Sequence, residues 1–246
     1  MIHEYYDISY DSKVQERKLD YLIPKSHYDK VIVYFHGGGL TSGNKSERSS
    51  SEIGQFLAKK GVGYVTADYR LSPEVHFPTF VEDAAKAISY VKENILKDKN
   101  LYVWGQSAGG YIALMLAMNT EYLFQAGVDP AIVKGWFIES AQCTTHFTVL
   151  KDRGEDERTI CVDRCSPQYY VGKTPKIPDI HLIVYENDMP CRYEQNMLFY
   201  KSILQFDPQA KIKISVLEGG HCAASICRKD GEYPIVNYLL KYIGEK

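Results

Sequence analysis

Apolar and polar positions alternate along the chain between two periods, short β-branched runs and longer stretches with helical spacing. Glu4–Tyr10 and Glu16–Ile23 are two strand-like runs split by Asp11-Ser12-Lys13 and ended by Pro24, which predicts a hairpin. Asp29–Phe35 (DKVIVYF) shows no alternation, as a strand buried on both faces requires. Lys45–Lys60 carries Ile53, Phe56 and Leu57 at helical spacing and stops at Gly61; Gly63–Tyr69 reads as the next strand. Phe80–Leu96 reads as an amphipathic helix with Phe80, Ala84, Ala87, Ile88, Val91 and Ile95 on one face. Leu101–Trp104 is a strand that feeds a small-residue apolar helix ending near Ala117. Strands follow at Lys134–Ser140, His181–Glu186 and Lys211–Leu217, with helices at Glu194–Phe206 and Tyr233–Ile243.

After the hairpin, strands and helices take turns to the end of the chain, which predicts an α/β class with a mostly parallel sheet covered on both faces. The pattern fails only over Ala141–Asp179, a stretch of mixed charge with tyrosines and prolines. An irregular insertion of that length inside a compact domain is expected to be a lid or a substrate-binding segment. The rest of residues 1–246 reads as one domain around it.

Composition narrows the partners. Of 246 residues, 45% are hydrophobic, enough for a packed core, and the formal net charge of −2 gives no electrostatic case for nucleic acid or an anionic membrane. The N-terminal residues lack a basic stretch followed by an apolar one, and no apolar run approaches the ~20 residues of a membrane span. A cytoplasmic protein with reduced thiols is therefore expected, with a homodimer left open. Cys161 and Cys165 are spaced like half of a metal site, but no second Cys or His pair follows at a zinc-ligand interval, so no metal is expected.

The chemistry concentrates at strand ends. Gly105-Gln106-Ser107-Ala108-Gly109 is G-x-S-x-G between a strand and a helix, the setting in which a serine is lifted clear of the sheet as a nucleophile. A serine hydroxyl needs a general base, and that base needs an orienting acid. Downstream, the strand HLIVYE delivers Asp188 and the strand KIKISVLE delivers Gly219-Gly220-His221. Glu186 is the rival acid; its place at the strand end favours a packing or supporting role. His181 begins a strand and belongs to the opposite edge, and His146 lies in the irregular segment. Upstream, His36-Gly37-Gly38-Gly39 directly follows the buried strand DKVIVYF. Three glycines contribute nothing to packing but let backbone N–H groups approach a developing oxyanion. Gly38, Gly39 and Ala108 are the expected donors, with His36 and Gly37 supporting the loop.

These motifs, with Asp68-Tyr69-Arg70-Leu71-Ser72-Pro73-Glu74, Phe77-Pro78 and Glu82-Asp83-Ala84, resemble α/β-hydrolase esterases of the hormone-sensitive-lipase-like and feruloyl/acetylxylan-esterase-like groups. The resemblance implies an α/β-hydrolase fold with a central sheet of about eight strands. It also implies hydrolysis of small carboxylic esters through an acyl-enzyme, without a cofactor, and gives Asp68, Arg70 and Glu74 scaffold roles. An arylformamidase- or peptidase-type amide hydrolase built on the same residues is the alternative. Tyr169, Tyr170 and Phe147 are candidates for holding an apolar or aromatic group. Cys143, Cys191 and Cys222 fall near strand ends; small core residues are the favoured reading, thiol-sensitive pocket residues the alternative.

Overall fold

A computed structural model describes residues 1–244. Its strands are β1 (Ile2–Ser9), β2 (Lys18–Pro24), β3 (Lys30–Phe35), β4 (Gly63–Ala67), β5 (Asn100–Gln106), β6 (Val133–Glu139), β7 (Ile180–Asn187) and β8 (Ile212–Gly220). All eight join one sheet in the order β1-β2-β4-β3-β5-β6-β7-β8. β1 and β2 pair antiparallel, as does β2 with β4; every pairing from β4 to β8 is parallel.

The helices are α1 (Arg48–Lys59), α2 (Thr79–Val91), α3 (Ala108–Met118), α4 (Glu121–Gln125), α5 (Phe147–Asp152), α6 (Arg192–Phe206), α7 (Ala223–Ile226) and α8 (Pro234–Gly244). The two-residue period of the strands divides the interior between the two faces of the sheet. Val31, Val33 and Phe35 share one core with buried residues of α2, α3 and α6, including Phe80, Ile112 and Phe199. Ile32 and Tyr34 face the other core, with Ile53 and Leu57 of α1 and Ile235 and Leu239 of α8. Every residue of α3 is buried. Its lack of a polar face is what a helix pressed onto the middle of the sheet requires.

Strand register matters for function. Phe35 pairs with both Ala67 and Gly105, Gln106 with Glu139, and Asn187 with Gly220. β4, β3, β5 and β6 therefore end nearly level, whereas β7 and β8 run further, because Glu139 at the end of β6 pairs with Ile183 and β7 continues to Asn187. The residues that follow β3, β5, β6, β7 and β8, namely His36, Ser107, Ser140, Asp188 and His221, all leave the sheet at its carboxyl rim. In open parallel sheets that rim is where ligands bind.

Several boundaries differ from the sequence expectation. The helix expected over Phe80–Leu96 is α-helical only to Val91 and closes with a wider π turn over Lys92–Leu96. β8 continues past Leu217 through both glycines, because Gly220 still pairs with Asn187. α4 and α7 are too short to leave a period in the sequence. The segment after Ser140 is not irregular throughout, since it contains α5 and a 3-10 turn at Pro167–Tyr170.

Candidate active site

β5 runs between β3 and β6 at the centre of the sheet, so the turn after Gln106 delivers Ser107 to the middle of the rim. Ser107 takes φ 53° and ψ −112°, a sparsely populated conformation that costs a side-chain-bearing residue about 1–3 kcal/mol. Two glycines make the turn sterically feasible. A Cβ at Gly105 would lie 2.2 Å from the Gly109 carbonyl oxygen, and one at Gly109 would lie 2.0 Å from that of Phe35. The Ser107 N–H donates to the Glu139 carbonyl at 2.7 Å, which pins the strained residue to β6. Its side chain is thereby held at the N-terminus of α3, where the helix dipole favours negative charge.

The rim brings Ser107, His221 and Asp188 together. His221 Nε2 lies 2.8 Å from Ser107 Oγ, and Nδ1 lies 2.5 Å from Asp188 Oδ1. A carboxylate can only accept, so Nδ1 carries the hydrogen, and neutral His221 presents Nε2 as an acceptor to the serine hydroxyl. The Asp188 side chain is 1% exposed, against 28% for His221. Burial alone would raise the Asp188 pKa, but hydrogen bonds from His221, Ser140 Oγ and the Met189 N–H hold it below the usual value. Asp188 therefore stays ionised around neutrality. Ser140 donates to Oδ2 at 2.6 Å and the Met189 N–H to Oδ1 at 2.7 Å. Glu186, the rival acid, is exposed rather than packed, because β7 continues past it to Asn187 before the chain turns inward.

The glycine loop stands beside the serine: a Cβ on Gly37 would lie 3.4 Å from Ser107 Cβ. Each of its carbonyls has a partner. Gly37 O accepts from His36 Nδ1 at 2.8 Å, and Gly38 O from the Ser42 N–H at 3.0 Å and the Thr41 N–H at 3.1 Å. Gly39 O accepts from Thr148 Oγ1 at 2.5 Å. In a trans peptide N–H and C=O point in opposite directions, so fixing these carbonyls fixes the direction of the Gly38, Gly39 and Leu40 N–H groups. Gly38 and Gly39 have φ of 104° and 63°, and a Cβ on Gly38 would meet Ser42 O at 2.1 Å. Here glycine is required, not merely tolerated.

His36 is buried, stacks on Tyr69 with ring centres 4.3 Å apart, and has its pKa pushed down to about 4 by burial. It is neutral at pH 7, so its 4.0 Å approach to Asp68 is not an ion pair. The sign of its linkage follows: between pH 6.5 and 4 the unfolded chain takes up a proton at this site that the folded chain refuses. That difference corresponds to about 3 kcal/mol of stability present at neutral pH and lost on acidification. Replacing His36 with Asn removes the titration. The stability gap between wild type and His36→Asn, measured by urea melts, should therefore shrink as pH falls from 7 to 4; a constant gap would contradict a neutral, buried His36.

Supporting residues are distributed less simply than expected. The Arg70 guanidinium donates two hydrogen bonds to the wholly buried Asp83, at 2.8 and 2.9 Å, its backbone N–H a third at 3.1 Å, and Arg17 reaches the same carboxylate. Asp68 accepts the Lys45 N–H at 2.7 Å, whereas Glu74 is exposed. His146 is buried between Tyr111 and Phe147 and caps α5 through the Thr148 N–H. His181 sits at the start of β7, on the far edge of the sheet.

One pocket expectation is corrected. Tyr170 accepts from Asn119, just past the C-terminus of α3, while Ser107 lies at its N-terminus. Eleven helical residues span about 16 Å, so Tyr170 and its neighbour Tyr169 are remote from the serine. Phe147 is the aromatic that reaches the site, 3.1 Å from where a Gly39 Cβ would stand. Cys143 and Cys222 are buried, and burial pushes the Cys143 thiol up to about 12 and the Cys222 thiol well above its ordinary value. Both are inert core thiols near neutrality; Cys191 is exposed. Among the described residues no group of three or more His, Cys, Asp or Glu could hold a metal ion, and no helix is long and apolar enough to cross a membrane.

Sequence reasoning missed Ser140 and Thr148, which act on Asp188 and the glycine loop through one hydrogen bond each. Neither lies in a motif; only the position of Ser140 directly after a buried strand could have signalled it.

Residues 79–245 match the family model described as the prolyl oligopeptidase family, and residues 19–134 match that described as BD-FAE. A kynurenine formamidase of Danio rerio is 27% identical over 97% of this chain and 82% of its own length. The 3-O-acetylpapaveroxine carboxylesterase CXE2 of Papaver somniferum is 30% identical, over 45% of this chain and 39% of that protein. The structure of esterase B from Lactobacillus rhamnosis superposes with a TM-score of 0.78 at 16% identity, covering 99% of this chain and 85% of that one. The fold is therefore that of the α/β-hydrolases.

Proposed function

The chain belongs to the prolyl oligopeptidase family and is a serine hydrolase, and on that premise we propose that it cleaves small carboxylic esters through an acyl-enzyme. The observation that carries this reading is the pair of contacts made by His221, 2.8 Å to Ser107 Oγ and 2.5 Å to Asp188 Oδ1. Ser107 Oγ attacks the ester carbonyl carbon while His221 Nε2 takes its proton. The carbonyl electrons move to oxygen, and the N–H groups of Gly38, Gly39 and Ala108 receive the oxyanion. When the tetrahedral species collapses, the C–O bond to the alcohol breaks and His221 returns the proton to the departing oxygen. Water then repeats the sequence on the acyl-enzyme and frees the acid and Ser107.

Asp188 holds the imidazole in the tautomer that presents Nε2 and balances the imidazolium that forms. Phe147 stands against Gly39 and limits the space beside the oxyanion loop, which supports a small acyl group. The segment 141–179 then acts as the substrate-binding insertion, contributing Phe147 and the Thr148 bond to Gly39.

The formamidase relative that aligns over 97% of the chain favours a second reading, cleavage of an aryl formamide by the same residues. Rates on p-nitrophenyl acetate and formanilide distinguish the two. The ester reading predicts a kcat/KM at least about a thousandfold higher on the ester, beyond the roughly 10–200-fold that one altered apolar contact is worth. A formamide hydrolysed faster than the ester would replace it.

A further inference from the structure

Beneath the rim lies a buried polar cluster that the reaction does not consume. Glu139, the last residue of β6, has no exposed surface. Its Oε1 accepts from Tyr185 Oη at 2.5 Å and Ser225 Oγ at 2.9 Å, and its Oε2 accepts from Trp104 Nε1 at 3.3 Å. The donors are ordered in turn. Tyr185 Oη accepts the Ala224 N–H at 3.0 Å, and Ser225 Oγ accepts from Gln106 Nε2 at 2.5 Å, whose Oε1 accepts from Tyr34 Oη at 3.1 Å. Every bond in this chain runs toward the carboxylate, which alone can be acceptor only on both oxygens.

The cluster joins parts of the site that no single motif connects. Gln106 precedes Ser107, and Ala224 and Ser225 belong to the short helix that begins two residues after His221. The Glu139 carbonyl holds the Ser107 N–H, and the next residue, Ser140, donates to Asp188. We infer that Glu139 is a positioning residue that sets His221 against Ser107, acting through Ser225, Ala224 and Gln106 without touching substrate. Burial pushes its carboxyl up to about 7, against hydrogen bonds from Tyr185, Ser225 and Trp104 that favour the ionised form. β6 lies between β5, which leads into Ser107, and β7, which leads into Asp188, so a fully bonded carboxylate at its end ties together the supports of both. This inference rests on the ester-hydrolase reading only for its kcat readout.

Glu139→Gln tests it. The amide keeps the shape but must point an NH2 at Trp104 or at the Tyr185–Ser225 pair, each of which already donates. The test compares wild type and Glu139→Gln for kcat and KM on p-nitrophenyl acetate, and for the rate of Ser107 labelling by a fluorophosphonate, well below both melting temperatures. The expected result is a kcat lower by about tenfold to a hundredfold with KM within about twofold, and labelling slowed in proportion. Should Glu139→Gln not fold, Ser225→Ala removes a single link, with kcat and labelling expected to fall by about threefold to tenfold. A folded Glu139→Gln, or failing that Ser225→Ala, that labels and turns over at the wild-type rate overturns the inference. Wild type that labels at Ser107 yet leaves the ester intact instead overturns the ester reading; the labelling ratio then still tests Glu139.

Discussion

On the proposed mechanism, replacing Ser107 with Ala should lower kcat for ester hydrolysis by about 10⁵-fold to 10⁶-fold, leaving only what an oxyanion site can do for attack by water. The effect is this large because Ser107 and His221 form one device. Without Oγ there is no acyl-enzyme, and the Nε2 that stands 2.8 Å from it has no nucleophile to deprotonate. The substitution is mild for the fold. The backbone conformation at φ 53° persists, Ala is no bulkier than Ser, and the N–H bond to Glu139 remains. Melting temperature should therefore be nearly unchanged, so the loss can be assigned to chemistry by measuring both.

The second large effect is at Asp188. Asp188→Asn should lower kcat by about 10⁴-fold with KM little changed, because the acid fixes a tautomer rather than binding substrate. Three donors converge on its two oxygens: His221 Nδ1–H and the Met189 N–H on Oδ1, and Ser140 Oγ on Oδ2. An amide can satisfy only one of those sides. If its oxygen stays toward His221, its NH2 confronts Ser140 and the imidazolium loses its counter-charge. If it flips, the NH2 faces Nδ1 and favours the tautomer that carries its hydrogen on Nε2, where it cannot receive the Ser107 proton. Combining the substitution with Ser107→Ala should cost almost nothing further, since residues acting as a unit are not additive. A double variant whose losses multiplied would show that Asp188 acts independently of the serine.

The predictions hold together because of one feature of the sheet. Five consecutive parallel pairings point the strands the same way, so residues scattered from His36 to His221 leave the sheet at its carboxyl rim. That much was legible in the sequence. Buried strands lack alternation, glycines cluster where backbone must approach closely, and Ser107, Asp188 and His221 each fall at a strand end. The resemblance to α/β-hydrolase esterases adds the order in which such residues occur and agrees with the fold.

What could not be read has common physical causes. Tyr169 and Tyr170 looked like pocket residues by composition alone, yet the 3-10 turn that carries them docks beyond the far end of α3. Glu74 sits in a motif whose neighbour Arg70 is tied to Asp83, yet Glu74 itself is exposed, and membership of a motif does not fix which way a loop side chain points. Ser140 and Thr148 make their contacts through single long-range hydrogen bonds and Glu139 through several, none of which leaves a local period or spacing. Glu139 did leave a trace, a charge closing the otherwise apolar run GWFIE; its partners Tyr185 and Ser225 are far away in sequence.

The central claim is that Ser107 is the one nucleophile, activated by His221. Its most direct test is reaction of the wild-type protein and His221→Ala with a fluorophosphonate, followed by intact-mass measurement, peptide mapping and residual esterase activity. The account predicts one adduct per wild-type chain, on the peptide containing Ser107, with activity lost in step with labelling and essentially no adduct on His221→Ala. An adduct on another residue, or esterase activity that survives complete labelling of Ser107, would contradict it.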